Sequence, residues 1–244
     1  NATHLLGFFS TFNSDAIKDA TIIKGNAPAQ YGGRLSSVLD VKMKEGNAKQ
    51  LEVNGGIGVI FSRLSIEAPI IKDKASFIVA ARRSYIDILA KPFLTGNNTD
   101  AKFSFYDLTA KVNYNLNTKN TFYLSGYFGR DVFGTGFGFN WGNSTLTARW
   151  NHVFSNKLFL NSTVFYSNYD YLLDSDLKNK RPENAFKWSS NIINLSYKPD
   201  FIYYLKPDNT LTFGGQIISY HFKPGTATAT SNGDKREFGQ AEKF

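Results

Sequence analysis

The sequence predicts an all-β chain, a transmembrane antiparallel β-barrel approached through a small preceding element, and three observations carry that reading. Apolar and polar residues alternate over long runs rich in Thr, Val, Ile, Phe and Tyr. The connections between runs alternate between short and long. Helical periodicity is confined to a short turn at Ser14 to Lys18.

Composition sets the outer bounds. The 244 residues are 42% hydrophobic and 20% charged, which fits a folded chain and excludes a disordered one. The absence of cysteine removes disulfides, thiolate zinc sites, iron–sulfur clusters and cysteine nucleophiles. The formal charge of +8 is scattered singly or in pairs such as Arg82-Arg83 and Lys235-Arg236, so no basic stripe points to nucleic acid. No run approaches the ~18 apolar residues of a membrane helix, but a barrel spreads its signal over many short strands.

Residues 1–45 form the first element. Leu5-Leu6-Gly7-Phe8-Phe9 is an apolar cluster, Ala20 to Ile23 a short β run, and Pro28 to Arg34 a turn followed by a second run from Leu35 to Lys42. From Leu51 onward the pattern gives roughly eight strands, many reaching the ~9–11 residues that a tilted membrane strand needs. The clearest is Tyr106 to Leu116, where Tyr106, Leu108, Ala110, Val112 and Tyr114 alternate with Asp107, Thr109, Lys111 and Asn113. Leu146, Ala148 and Trp150 alternate likewise with Thr145, Thr147, Arg149 and Asn151. Leu158 to Tyr169 carries large side chains on both faces, and its outward face stays open; Arg82 and Arg83 fall on opposite faces of their strand.

Short polar turns fall at residues 72–74, 117–120, 155–157 and 206–209, and longer connections at 91–101, 131–143, 172–185 and 223–237. A soluble sandwich has no reason to sort its connections this way. A membrane barrel does, with short periplasmic turns at one rim and long external loops at the other.

Alternation turns Asp107, Lys111 and Arg149 toward a polar lumen, where they could guide cargo or hold the preceding element. Tyr106, Tyr114, Trp150 and Tyr197 suit the aromatic girdle at the lipid interface. Phe133, Phe137, Phe139 and Trp141 fall in an expected external loop and are the candidates for ligand contact. Asp170, Asp174 and Asp176 could together hold Ca²⁺, but their spacing matches no calcium loop and a solvated loop is the preferred reading. Histidines 4, 152 and 221 lack metal-ligand spacing, Gly134 to Gly138 follows no βα unit, and no nucleophile elbow is present. No catalytic residue, metal or cofactor is expected.

The string Ile17-Lys18-Asp19-Ala20-Thr21-Ile22-Ile23-Lys24-Gly25, followed by Pro28-Ala29-Gln30-Tyr31-Gly32-Gly33-Arg34-Leu35-Ser36-Ser37-Val38, resembles the end of the plug domain of TonB-dependent outer-membrane receptors. The Tyr-Gly-Gly-Arg-Leu-Ser-Ser-Val form is similar to that common in Bacteroidetes. The resemblance implies residues 1–45 as the C-terminal part of a plug and 46–244 as the N-terminal portion of a barrel of about 22 strands, plugged because so wide a lumen would otherwise leak. It singles out Pro28, Tyr31, Gly32, Gly33 and Arg34 as the plug motif, with Arg34 expected to pair with an acidic residue of the wall.

Import of a nutrient across the bacterial outer membrane, driven through the inner-membrane TonB complex, is the function the resemblance implies. The TonB-contacting segment is expected ahead of Asn1, and 22 strands would need ~500 residues, so the chain reads as a partial one. Outer-membrane lipids are expected partners, a surface lipoprotein an open one, and nucleic acid none. Two rivals remain at this point: a complete eight-stranded outer-membrane barrel of structural or adhesive role, and a soluble β-sandwich that binds sugars.

Overall fold

A computed structural model describes residues 3–4, 7–25, 27–32, 37–93, 102–134, 138–175, 186–231, 234–238 and 242–243. Two small hairpins come first: β1 (Thr3–His4) with β2 (Phe9–Ser10), and β3 (Ile17–Lys24) with β4 (Ser37–Met43). All remaining strands form one antiparallel meander. It consists of β5 (Glu52–Ile57), β6 (Phe61–Ile71), β7 (Ala75–Ser84), β8 (Lys102–Asn117), β9 (Asn120–Gly134), β10 (Gly138–Val153), β11 (Leu158–Asp174), β12 (Phe186–Lys206), β13 (Asn209–Gly214), β14 (Ile217–Ser231), β15 (Asp234–Phe238) and β16 (Glu242–Lys243). Among the described residues one short α-helix, α1 (Ile86–Ala90), lies between β7 and β8.

These twelve segments occupy ten positions, because β13 and β14 both lie beside β12, and β15 and β16 both lie beside β14. The break between β13 and β14 has a local cause. Pro199 stands in β12 just where its neighbour is interrupted, between the Asp200–Gly214 and Tyr197–Ile217 pairs. Proline offers no N–H to the ladder, and the Pro199 carbonyl is left to accept from Gly215 at 3.2 Å. Ten positions replace the eight counted from alternation, since strands as short and glycine-bearing as β5, or broken as β13 and β14 are, carry little alternating signal.

The two faces of this sheet differ as water differs from oil. On one face Leu108, Leu124, Leu146, Val164 and Leu195, on successive strands, are each 43–52% exposed, the kind of exposed apolar row that lipid or a partner covers. Ser65, Glu67, Asp107, Thr109 and Asn113 are all buried on the opposite, polar face. Register settles the ambiguous strand: Val164 and Tyr166 of β11 pair with Ala148 and Leu146 and share the apolar face, while Phe165 pairs with Thr147 on the polar one. Arg82 pairs with Asp107 on the polar face, and Arg83 pairs with Tyr106 on the other.

Two rivals fall here. A sandwich would bury Leu108, Val112 and Tyr106 against a second sheet, and they are exposed instead. A closed eight-stranded barrel requires its end strands to pair, whereas the ten-position order ends at β5 and β15 without closure among the described residues. Two expected loops also change character. Strand pairing continues through most of 131–143, with Phe133 opposite Phe139 and Asp131 opposite Trp141, and through 227–231 opposite 234–238. Aromatic and β-branched residues suit a paired ladder, so these segments are extended hairpins.

Candidate functional site

The leading segment rests on the polar face, and the seat is built in three places. The first is the link into the sheet. Gly46 has φ +83°, and a Cβ there would lie 2.3 Å from the Phe77 carbonyl oxygen, so only glycine lets the backbone pass this close to β7. The Ser76 hydroxyl donates to the Glu45 carbonyl (2.9 Å), the Lys44 N–H donates to the Ala16 carbonyl (2.9 Å), and Lys44 faces Glu67 at 3.6 Å. Lys111 reaches from β8 to donate to the Met43 carbonyl (3.3 Å).

The second place is the 3-10 turn Ser14–Ala16. Asn13 caps it, its side-chain oxygen accepting from the Asp15 N–H at 3.0 Å. Ala16 then packs on Ile78 and Ala80, and all three are essentially sealed from solvent. Small residues at 16 and 80 let the turn approach the sheet closely, and Asp15 pairs with Arg63 of β6 beside it. Arg82 adds a clamp: it donates to the Ser10 carbonyl (2.9 Å) and the Phe12 carbonyl (3.4 Å) while held by Asp107.

The third place is His4. Its Nδ1 lies 2.8 Å from Asp131 Oδ2, and its Nε2 lies 3.3 Å from Asp107 Oδ2 and 3.1 Å from the Tyr127 hydroxyl. The ring stacks on Phe105 at 4.6 Å between centroids, and Phe9 and Phe61 complete an aromatic wall around Phe105. Burial opposes a charge on His4, but hydrogen bonds to Asp107 and Asp131 and their negative charges outweigh it, holding the imidazole pKa above its ordinary value.

Between the segment and strands β8 to β10 lies a cavity of about 290 Å³. Phe12, Ile17 and Met43 line it from the segment, and Thr109, Thr145 and Thr147 from the sheet.

The other sequence-predicted residues are distributed as follows. Asp107 is buried at the centre of the His4 and Arg82 contacts, whereas Arg149 lies exposed on the polar face. Pro28 opens a 3-10 turn over Ala29–Tyr31, Gly32 follows it, and the Lys198 ammonium sits 5.7 Å above the Tyr31 ring. Gly33 and Arg34 lie outside the described residues, as do Phe137 and Asp176. Phe133 belongs to β9, and Phe139 and Trp141 to β10, rather than to a loop; Trp141 is 3% exposed. Their aromatic character, the basis for placing them in a ligand loop, is what extends the hairpin. Asp170 is engaged by Arg130 at 2.8 Å across Gly142, and Asp174 ends β11.

His4, Arg63, Arg82, Asp15 and Asp131 form the seat, yet nothing local in the sequence singles them out. A search by metal spacing passes over His4, because its partners lie 103 and 127 residues away.

No protein-family model matches the sequence, and no curated protein matches it. Among solved structures, one chain described as copper transporter OprC is similar in three dimensions, with a TM-score of 0.68 at 12% identity. The match covers 93% of this chain and 39% of that one, so this chain spans about two fifths of the length of the structure it resembles. What the two share is the fold, an antiparallel β-barrel sheet.

Proposed function

We propose that this chain is part of a TonB-dependent importer of the bacterial outer membrane, with residues 1–45 as the C-terminal part of its plug and 46–244 as the first ten strand positions of its barrel. One observation carries the reading: a segment clamped by charged and capped groups onto the polar face of a sheet whose other face is a band of exposed apolar side chains. Such a sheet suits lipid on one side and carries its buried charge on the other. A segment held there by polar contacts rather than by a large apolar core can be displaced without unfolding the wall.

Transport in this reading involves no covalent chemistry. Its energy comes from the inner membrane through TonB, its surroundings are outer-membrane lipids, and a surface lipoprotein is a compatible partner. Copper, named for the structural neighbour, gains no support from side-chain clustering: the two ring nitrogens of His4 face opposite carboxylates rather than one point in space, and no metal-holding group occurs among the described residues. The cargo is therefore proposed only as a nutrient. The Tyr-Gly-Gly-Arg form supports, by resemblance, a Bacteroidetes-type receptor.

The test is fractionation of cells producing the full-length protein, followed by growth on limiting nutrients with and without a functional TonB. Recovery in the outer membrane together with a TonB-dependent growth advantage is expected. Recovery in the soluble fraction would overturn the reading.

A further inference from the structure

His4 is only 1% exposed, yet both of its ring nitrogens face carboxylate oxygens carried by different strands: Asp107 on β8 and Asp131 on β9. Among the described residues, the other polar groups around it include Tyr127 on β9 and Arg82 on β7, the latter bonded to Asp107 and lying 5.8 Å from the Phe105 ring on which His4 stacks. Phe9 and Ser10, from the strand paired with β1, bring no charge.

A neutral imidazole has one N–H and one lone pair and cannot donate to two carboxylates. As imidazolium, His4 donates from Nδ1 to Asp131 and from Nε2 to Asp107. As the neutral ring it keeps the Asp131 bond, but Nε2 turns acceptor and receives a hydrogen bond from the Tyr127 hydroxyl. Asp107 Oδ2, 3.3 Å away, then faces a lone pair.

We propose that His4 is a proton-operated latch: protonated, it ties the start of the leading segment to β8 and β9 together, and on losing its proton it gives up β8 and loosens the segment. The latch rests on the reading of residues 1–45 as a displaceable plug segment and adds a controlling group to it. Its sign follows from the raised imidazole pKa. The stabilisation is complete below the ordinary histidine value and is lost as pH rises through the raised one.

The experiment places a nitroxide at Phe8→Cys, an exposed position between β1 and β2, in the full-length protein reconstituted in lipid vesicles. Electron paramagnetic resonance then follows label mobility against pH. The label is expected to be immobile at acid pH and to become mobile in a one-proton transition above the ordinary histidine range. His4→Phe keeps a ring to stack on Phe105 and should abolish the transition, leaving the label mobile throughout. Asp131→Asn should move the midpoint to lower pH.

An unchanged transition in His4→Phe, or a label equally immobile at every pH in the unaltered protein, would overturn the latch. Should His4→Phe fail to fold, Asp131→Asn decides: an unmoved midpoint refutes the proposal. The measurement involves neither cargo nor TonB, so failure of import alongside an intact transition would count against the transport reading alone.

Discussion

Arg82 and Asp107 stand directly opposite each other on β7 and β8, and their side chains meet at 2.6 Å (Nη2 to Oδ2) and 2.9 Å (Nε to Oδ2) with almost no solvent contact. The same guanidinium holds two carbonyls of the leading segment, and the same carboxylate faces His4. One cross-strand pair thus serves both the wall and the segment seated on it.

Replacing Arg82 by Gln should therefore do more than weaken a strand pair. It leaves Asp107 buried without its fork of donors, a change that costs on the order of 3–5 kcal/mol, and it frees the Ser10 and Phe12 carbonyls. Limited proteolysis should cut residues 1–45 faster than in the unaltered protein while β8 to β12 stay protected. Equal cutting rates would show that the clamp contributes nothing.

The apolar band makes a different prediction. Leu108→Lys places a charge on the exposed apolar face, where a bilayer penalises it by up to ~2–4 kcal/mol at mid-depth, whereas Leu108→Phe should be near neutral. Urea titration in lipid vesicles reads the difference. Equal midpoints for the two variants would mean that this face does not meet hydrocarbon.

Gly46→Ala is expected to be among the most damaging small changes. Its φ of +83° is strained for any L-residue, and its Cβ would overlap the Phe77 carbonyl. We expect a loss of a few kcal/mol, seen as a lower thermal midpoint and faster release of the leading segment. A wild-type midpoint would contradict the close approach of this link to β7.

Arg130 and Asp170 supply the counter-example. Both are roughly 30% exposed, so Asp170→Asn should cost no more than ~1 kcal/mol and less still at high salt. A large, salt-independent loss on thermal unfolding would show a structural role beyond a rim ion pair.

Much of the wall was legible in the residues themselves. Tyr106 to Leu116 alternates so cleanly that its two faces follow from strand geometry alone, and the short turns after Ile71, Asn117 and Val153 stand where polar, turn-forming residues cluster. Leu158 to Tyr169 did not yield in this way, because large side chains on both faces leave alternation without a sign until pairing with β10 supplies one. The hairpin of β9 and β10 was hidden for a related reason: glycine and aromatic residues suit a loop and a twisted ladder alike, and only the partner strand distinguishes them.

The sequence alone determined that this chain alternates and that short polar turns separate several of its runs, because both properties reside in neighbours along the backbone. The tertiary structure decided that His4, Asp15, Ser10 and Phe12 meet Asp107, Asp131, Arg63 and Arg82. Those contacts join positions 48 to 127 residues apart, and a hydrogen bond or ion pair depends on distance in space, to which separation along the chain gives no guide.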